Sequence, residues 1–468
     1  MIRELFKKAP YHFQTPIRWI YGKVPIAIRL GRNFTETYNL LKVSQYWSKE
    51  EHESYQLAQL KRLLIHSFEN VPYYNKLFNE IGFNPYTFRY LDEMEKIPFL
   101  DKETVQNNFE SLIAKNIPRK DFILQTTGGT SGNPLKFFIQ KKFSLSREWA
   151  FMTSQWGRVG FNYRSSKRVL LTNSILPKNK LYLWDYINNC LVIDPYHLTE
   201  ENIKRIVDKL NDEKIPFIHT YPSAITIICD YIKDTGHNLS YSPKAIFCSS
   251  ENIYKGQREF IESNLNSRVF SWYGHTEKLV LAGECEKSNL YHIFSEYGYT
   301  ELVDENNRVI KPPNIRGEIV GTGFNNYVMP LIRYKTGDYS EYAENQLCEC
   351  GRHYKLLKGV EGRWLQEMLV TSKGNKISIT AINMHSDIFD NVKQFQFYQN
   401  KPGFCILRIV KKPSYSAQDE ANIVKELKKK LTDEISLDIE YVNEIERTSR
   451  GKYKFLIQEI DVISNYNS

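Results

Sequence analysis

Four short stretches of this 468-residue chain combine residue types that handle phosphate, a hard cation and a ribose. The first, TTGGTSGNPLKFF, spans residues 126–138. Gly128, Gly129 and Gly132 let the backbone take positive φ, so successive N–H groups can face one concavity suited to phosphate oxygens. The hydroxyls of Thr126, Thr127, Thr130 and Ser131 add donors able to follow a moving pyrophosphate. A Walker loop would end in Gly-Lys-Ser/Thr. Here Gly132 is followed by Asn133 and Pro134, and a polar hairpin turn that binds nothing has the same composition. The second stretch, WYGHTE, ends in Thr276 and Glu277. A carboxylate there suits Mg²⁺, which prefers oxygen ligands and phosphate company. Thr276 as the cap of a following helix is the plainer reading, compatible with the first. In the third, Asp338 follows Gly337 in what reads as a tight turn. An acidic side chain there suits the paired hydroxyls of a ribose, and a plain turn aspartate is the alternative. Lys452, after Gly451 in ERTSRGKYKF, taken alone reads as a solvated basic turn.

Cysteine offers a second chemistry. Cys285 and His292 have six residues between them, and Cys348 and Cys350 follow a later β stretch. Three sulfurs and one imidazole make a closed tetrahedral zinc set, although the spacing is not that of a standard finger and four unrelated reduced residues would look the same. Cys190, Cys229, Cys248 and Cys405 read as small buried apolar residues.

Elements able to position these residues are legible around them. Phe122-Ile123-Leu124 has strand character ahead of the glycine stretch. Beyond a helical run through Trp149, Phe151 and Trp156, strands at 168–171, 217–219, 245–248 and 269–270 alternate with helices at 200–211, 224–234 and 255–265. Alternation at this spacing predicts a parallel sheet with helices on its faces, with ligands at the carboxyl ends of the strands. Tyr221-Pro222-Ser223, Ser249-Ser250-Glu251 and residues 272–277 fall at those ends. From about Tyr291 short strands and turns predict a β-rich subdomain, and from about Gly362 a small α+β domain. The expected division is a core over 1–362, with a β-rich part over about 290–362, and a C-terminal domain over 363–468. Residues 1–45 mix basic and aromatic side chains. Such a segment suits an anionic membrane surface, but an irregular arm packed on the main body is the expected form.

Hydrophobic content of 41% and charged content of 25% describe a soluble globular protein of two or three domains. No apolar run reaches the length of a membrane span, and no signal peptide is evident at the start. Seven Cys in so long a chain fit a reducing, cytoplasmic setting rather than a disulfide scaffold. The net charge of +9 comes with no nucleic-acid-binding signature, so a basic surface around a nucleotide site is the favoured explanation. Oligomeric state is not legible.

Taken in order, TTGGTSGNP, WYGHTE, RYKTGD, EGR and RTSRGK resemble the successive core motifs of the adenylate-forming ligase superfamily, most closely phenylacetate–CoA ligases and CapK-like proteins of surface-polysaccharide gene sets. The resemblance covers residues from about 73 to 454. It implies an α/β adenylate-forming ligase fold with a small mobile α+β C-terminal domain. It also implies ATP, Mg²⁺, a small carboxylic acid, and an acyl acceptor that is CoA or an amine. Thr127, Gly129, Thr130, Ser131 and Gly132 match the loop that handles the β- and γ-phosphates, and Ser249, Ser250 and Glu251 the adenine pocket. Thr276 matches the α-phosphate contact and Glu277 the Mg²⁺ ligand, with Tyr273 and Gly274 of the same motif among the ATP contacts. Asp338 matches the ribose aspartate, Arg363 the arginine at the junction to the small domain, and Lys452 the lysine that swings in for adenylate formation. Tyr221, Pro222 and Trp272 are candidates for the acyl pocket on position alone. Some phenylacetate–CoA-ligase-like proteins carry similar Cys/His pairs, which favours structural zinc. Two departures stand out: Arg363 is followed by Trp364-Leu365-Gln366 rather than an acidic pair, and His275 occupies a position where relatives vary. A scaffold that kept the fold without catalysis is the rival reading; Thr130, Glu277, Asp338 and Lys452 together argue against it.

Overall fold

The computed structural model describes residues 11–127, 135–177, 180–254, 256–362, 368–382, 387–445 and 455–460. Gly129, Thr130, Ser131, Gly132, Arg363 and Lys452 lie outside the described residues.

One twelve-stranded sheet runs through the large part of the chain. In one half Cys190–Ile193, Arg168–Leu171, Phe217–Thr220, Ala245–Cys248 and Val269–Gly274 lie parallel, with Tyr182–Asp185 antiparallel at the outer edge. All four residues of Ala245–Cys248 are buried, as expected of a strand covered on both faces. The covering helices follow from local sequence. Glu200–Glu213 is capped by Thr199, whose hydroxyl accepts from the Asn202 N–H at 3.3 Å. It buries Ile203, Ile206, Val207 and Leu210, the three- and four-residue spacing of one helix face. Pro222 opens Pro222–Thr235, where a missing N–H costs nothing.

The β-rich stretch is no separate sheet. Leu281–Gly283 folds back antiparallel onto Val269–Gly274, pairing Trp272 with Gly283 and Tyr273 with Ala282. Tyr291–Ile293, Leu356–Glu361, Tyr334–Tyr342, Arg316–Gly323 and Gly298–Val303 then continue the same ladder, all antiparallel. Asp338 also differs from expectation. It lies inside the strand Tyr334–Tyr342, at an irregularity where Gly337 takes φ 73°. The Thr336 hydroxyl donates to Ile319 O at 2.7 Å and accepts from the Asp338 N–H at 3.1 Å, holding a bulge that a Gly-Asp pair mimics as a turn in sequence.

Residues 11–44 are helical rather than irregular, in Tyr11–Lys23, Ile26–Leu30 and Arg32–Ser44. The last buries Phe34, Thr37, Leu41 and Ser44 against helix Ser144–Gly157, and Leu41 shares a core with Phe151 and Trp156. Two of those four buried positions are hydroxyl residues, which hides the period in a hydrophobicity reading.

Helix Lys49–Asn70 starts with a capping box formed by Ser48 and Glu51, and it buries His52 between the rings of Trp47 and Tyr354. Burial pushes the His52 imidazole down to about 4. The folded state thus binds fewer protons than the unfolded chain below pH ~6.5, and its stability falls as pH drops through the window from about 6.5 to about 4. Lowering pH from 7 to 5 should cost about 2 kcal/mol through this residue. Urea melts of wild type and His52→Gln at both pH values should show that slope flattened in the variant.

In the C-terminal part the strands run in the order Ser436–Tyr441, Phe404–Lys411, Val392–Lys401 and Leu456–Gln458, beside helix Ala417–Lys428. Ile377 and Ile382 share an apolar core with Ile225, Ile228 and Ile232 of Pro222–Thr235. Lys136, on the strand that leaves the glycine stretch, forms an ion pair with Asp390.

Candidate active site

Three loops at the carboxyl ends of the parallel strands converge on one cavity of about 700 Å³. Thr127, Tyr221, Ser249, Ser250, Glu251, Trp272, Tyr273, Gly274, Thr276, Glu277 and Asp338 all border it. Pro222 does not; it is buried in the first turn of its helix. Trp272 packs against His219 and Trp156, with ring centroids 5.3 and 5.9 Å away, and so forms an aromatic wall.

Each buried carboxylate here has a dedicated holder. Glu251 accepts from the Ser223 N–H at 2.9 Å and the Ser223 hydroxyl at 2.8 Å, so it is anchored to the first turn of Pro222–Thr235. The positive end of that helix favours the charge. The neighbouring Ser250 has φ 68°, a conformation costly for a non-glycine residue and typical of functional loops. Asp338 accepts from the Tyr273 hydroxyl at 2.9 Å. Burial, with the Asp338 charge beside it, raises the Tyr273 phenol well above its ordinary value, which keeps it a donor.

Glu277 is held by His275. The Val280 N–H donates to His275 Nε2 at 3.2 Å, which leaves Nδ1–H to donate to Glu277 Oε2 at 3.1 Å. This pattern selects the neutral Nδ1-protonated tautomer and occupies both ring nitrogens. In this arrangement His275 links the Val280 backbone to the Glu277 carboxylate. A buried carboxylate with a hydroxyl neighbour in Thr276 supplies the hard oxygen donors that Mg²⁺ takes, so the residues fit that ion. Lys278, next in the chain at φ 61°, ion-pairs with Glu148 on the cavity wall. Its motif position gave no sign of this, because Glu148 lies in a distant helix. Asn252 was equally silent in sequence. Its amide nitrogen donates to Gly362 O at 3.3 Å and its oxygen accepts from the Gly362 N–H at 3.1 Å, clasping the chain just before Arg363.

The four metal-ligand candidates also come together. Their ligand atoms in Cys285, His292, Cys348 and Cys350 all lie within 4.8 Å of one another. Cys285 Sγ is 3.6 Å from Cys348 Sγ, and Cys350 Sγ is 3.3 Å from His292 Nε2. Two sulfurs each ~2.3 Å from a central tetrahedral ion would be about 3.8 Å apart, so the set fits zinc. The surroundings agree: His292 Nδ1–H donates to Leu290 O at 3.1 Å, which leaves Nε2 as the ligand atom, and the Lys287 N–H points at Cys285 Sγ at 3.3 Å. The Cys350 thiol is pushed below its ordinary value, chiefly by the Cys285 thiol donating to it, with His292 and Arg352 adding to the effect. Glu284, beside Cys285, borders the cavity and pairs with Arg258, so the cluster stands one residue from the site.

The chain is similar to known proteins along most of its length. Residues 369–459 match the family described as the CapK C-terminal domain. Protein CapK of Staphylococcus aureus is 25% identical over 475 aligned positions, spanning 98% of this chain and 100% of CapK. A phenylacetate–coenzyme A ligase of Thermus thermophilus is 25% identical over 336 positions, 69% of this chain and 72% of that enzyme. Among solved structures, 2-hydroxyisobutyryl-CoA ligase in complex with 2-HIB-AMP and CoA superposes with a TM-score of 0.58 at 18% identity, covering 89% of this chain and 93% of that one.

Proposed function

We propose that this chain, a relative of CapK and the phenylacetate–CoA ligases with the fold of the adenylate-forming ligases, activates a carboxylic acid as its acyl-adenylate with release of pyrophosphate. The observation that carries the reading is the convergence of Ser249–Glu251, Thr276–Glu277 and the Tyr273–Asp338 pair on one cavity. A carboxylate resists acyl transfer because it is anionic and its oxygen leaves poorly. Attack on the α-phosphorus of ATP converts that oxygen into part of a leaving AMP. In this reading Asp338, oriented by Tyr273, receives the ribose hydroxyls. Ser249 and Ser250 border the adenine, and Thr276 donates to the α-phosphate. Magnesium, when bound beside Glu277, supplies the neutralising charge that lets an anion approach a polyanion. Trp272 and Tyr221 shape the acid-binding end. Lys452 brings the remaining positive charge from the small domain, and a rotation of that domain would clear the site for the second half-reaction.

The acyl group then passes to an acceptor. CoA thiol is the acceptor that the names of the phenylacetate–CoA ligases and of 2-hydroxyisobutyryl-CoA ligase favour, and an amine acceptor in surface-polysaccharide assembly, suggested by the motif resemblance alone, is the alternative. The testing experiment is ATP–pyrophosphate exchange against aromatic, fatty, amino and sugar acids, for wild type and Lys452→Ala. Exchange with one acid class, lost in the variant while ATP still binds, is the expected result. ATP binding with no exchange for any acid would favour the scaffold. CoA and amines added to the active mixture then identify the acceptor by the product formed.

A further inference from the structure

A second cavity, of about 840 Å³, opens at the opposite end of the parallel strands. Ser249–Glu251 follow the carboxyl end of their strand. Lys167 and Arg168 instead stand at the amino end of theirs, and Asn188 and Asn189 just precede Cys190–Ile193. The N-terminal helices Tyr11–Lys23 and Ile26–Leu30 wall this cavity on one side and the hairpin through 182–193 on the other. Gly22 allows that close approach: a Cβ there would lie 2.2 Å from Tyr186 O.

The charge around the cavity is unbalanced. Lys23, Arg29, Arg164, Lys167, Arg168 and Lys209 border it, and among the described residues Glu213 is the one carboxylate that does so. Lys209 and Lys167 share Glu213, at 2.9 and 3.9 Å. Arg168 is 5% exposed and has no ion pair among the described residues. Its guanidinium lies over Trp149 and Trp156, donates once to Asn188 O at 3.3 Å, and leaves Nε without a partner. Asp185 acts on this buried cation only across a distance, with no contact ion pair, and an anion in the cavity would complete its counter-charge.

The walls add a second feature. Ile17, Ile20 and Tyr21 fall on one face of their helix and are exposed, Ile20 at 62%, and Ile28 on the next helix is 71% exposed. Trp19 and Tyr186, at the rim, are also exposed. Apolar side chains facing solvent beside a basic recess match the boundary of an anionic bilayer, where chains enter the acyl region and cations meet phosphates.

We propose that this cavity receives the phosphate-bearing headgroup of an anionic membrane lipid, with the helices Tyr11–Lys23 and Ile26–Leu30 lying on the bilayer surface. No helix among the described residues is long and apolar enough to cross a membrane, so attachment would be peripheral. The test is sedimentation of the whole protein with phosphatidylcholine vesicles, with and without phosphatidylglycerol. Wild type should pellet with the mixed vesicles and not with the neutral ones. Ile20→Ser and Lys23→Gln change exposed side chains and should leave the thermal melt unchanged. The first should weaken partitioning about tenfold or more and the second about fivefold. Unchanged partitioning in both variants, or equal binding to neutral vesicles, would overturn the proposal. Free glycerol phosphate provides the other arm, read as a change in tryptophan fluorescence. Binding of that probe without vesicle association would assign the cavity to a soluble anion and equally overturn the lipid assignment.

Discussion

Replacing Glu277 by Gln should lower ATP–pyrophosphate exchange by about 10²–10³-fold, with ATP binding weakened only severalfold. The amide keeps the size of the side chain and can still accept from His275 Nδ1–H. What it loses is the negative charge that would hold Mg²⁺ against the phosphates, and that charge matters most when the acid attacks. His275→Asn tests the orienting role separately. Removing the link from Val280 N–H through the ring to Glu277 should cost about tenfold in exchange and raise the Mg²⁺ concentration needed for half-maximal rate. A change in folding alone would not alter that magnesium requirement. A Glu277→Gln variant within threefold of wild type would show that this carboxylate does not hold the ion.

Metal analysis of protein purified without chelator should find about one zinc per chain, lost in Cys350→Ser. This variant should be destabilised by several kcal/mol, because a structural zinc holds ligands that are far apart in the unfolded chain. The cluster ties the loop after Leu281–Gly283 to strand Tyr291–Ile293 and to the loop carrying Cys348 and Cys350, which are 63 residues or more beyond Cys285. Glu284 should be disturbed as well, since it leaves the same loop to pair with Arg258. Exchange activity should therefore fall along with the melting temperature when zinc is stripped. Full zinc content in Cys350→Ser would remove that residue from the ligand set.

The parallel strands and their helices were legible because each carries its own signal, an apolar run or a three- and four-residue period. The hairpin strands Tyr182–Asp185, at the edge, and Cys190–Ile193, just inside it, were not, since the polar, asparagine-rich turn that joins them masks both. The site motifs were legible as residues but not as partnerships. His275 with Glu277 is local, yet its role depends on an N–H five residues on. Tyr273 with Asp338, Lys278 with Glu148 and Asn252 with Gly362 join positions that only the sheet brings together. Pro222 shows the reverse error: a residue at a strand end need not face the ligand, and its ring is spent on starting a helix. The bulge at Gly337 imitates a turn because a turn and a bulge ask the same left-handed backbone of glycine.

The single large sheet has a practical consequence for dividing the protein. A cut near residue 290, where the sequence changes character, would strip Leu281–Gly283 of Tyr291–Ile293 and of the strands that continue the sheet beyond it. That would bare unpaired N–H and C=O groups along Leu281–Gly283, an invitation to aggregate. A cut between 362 and 368 breaks no strand pair of the large sheet. A fragment ending near 362 keeps every strand of the large sheet and is the one to expect in soluble form.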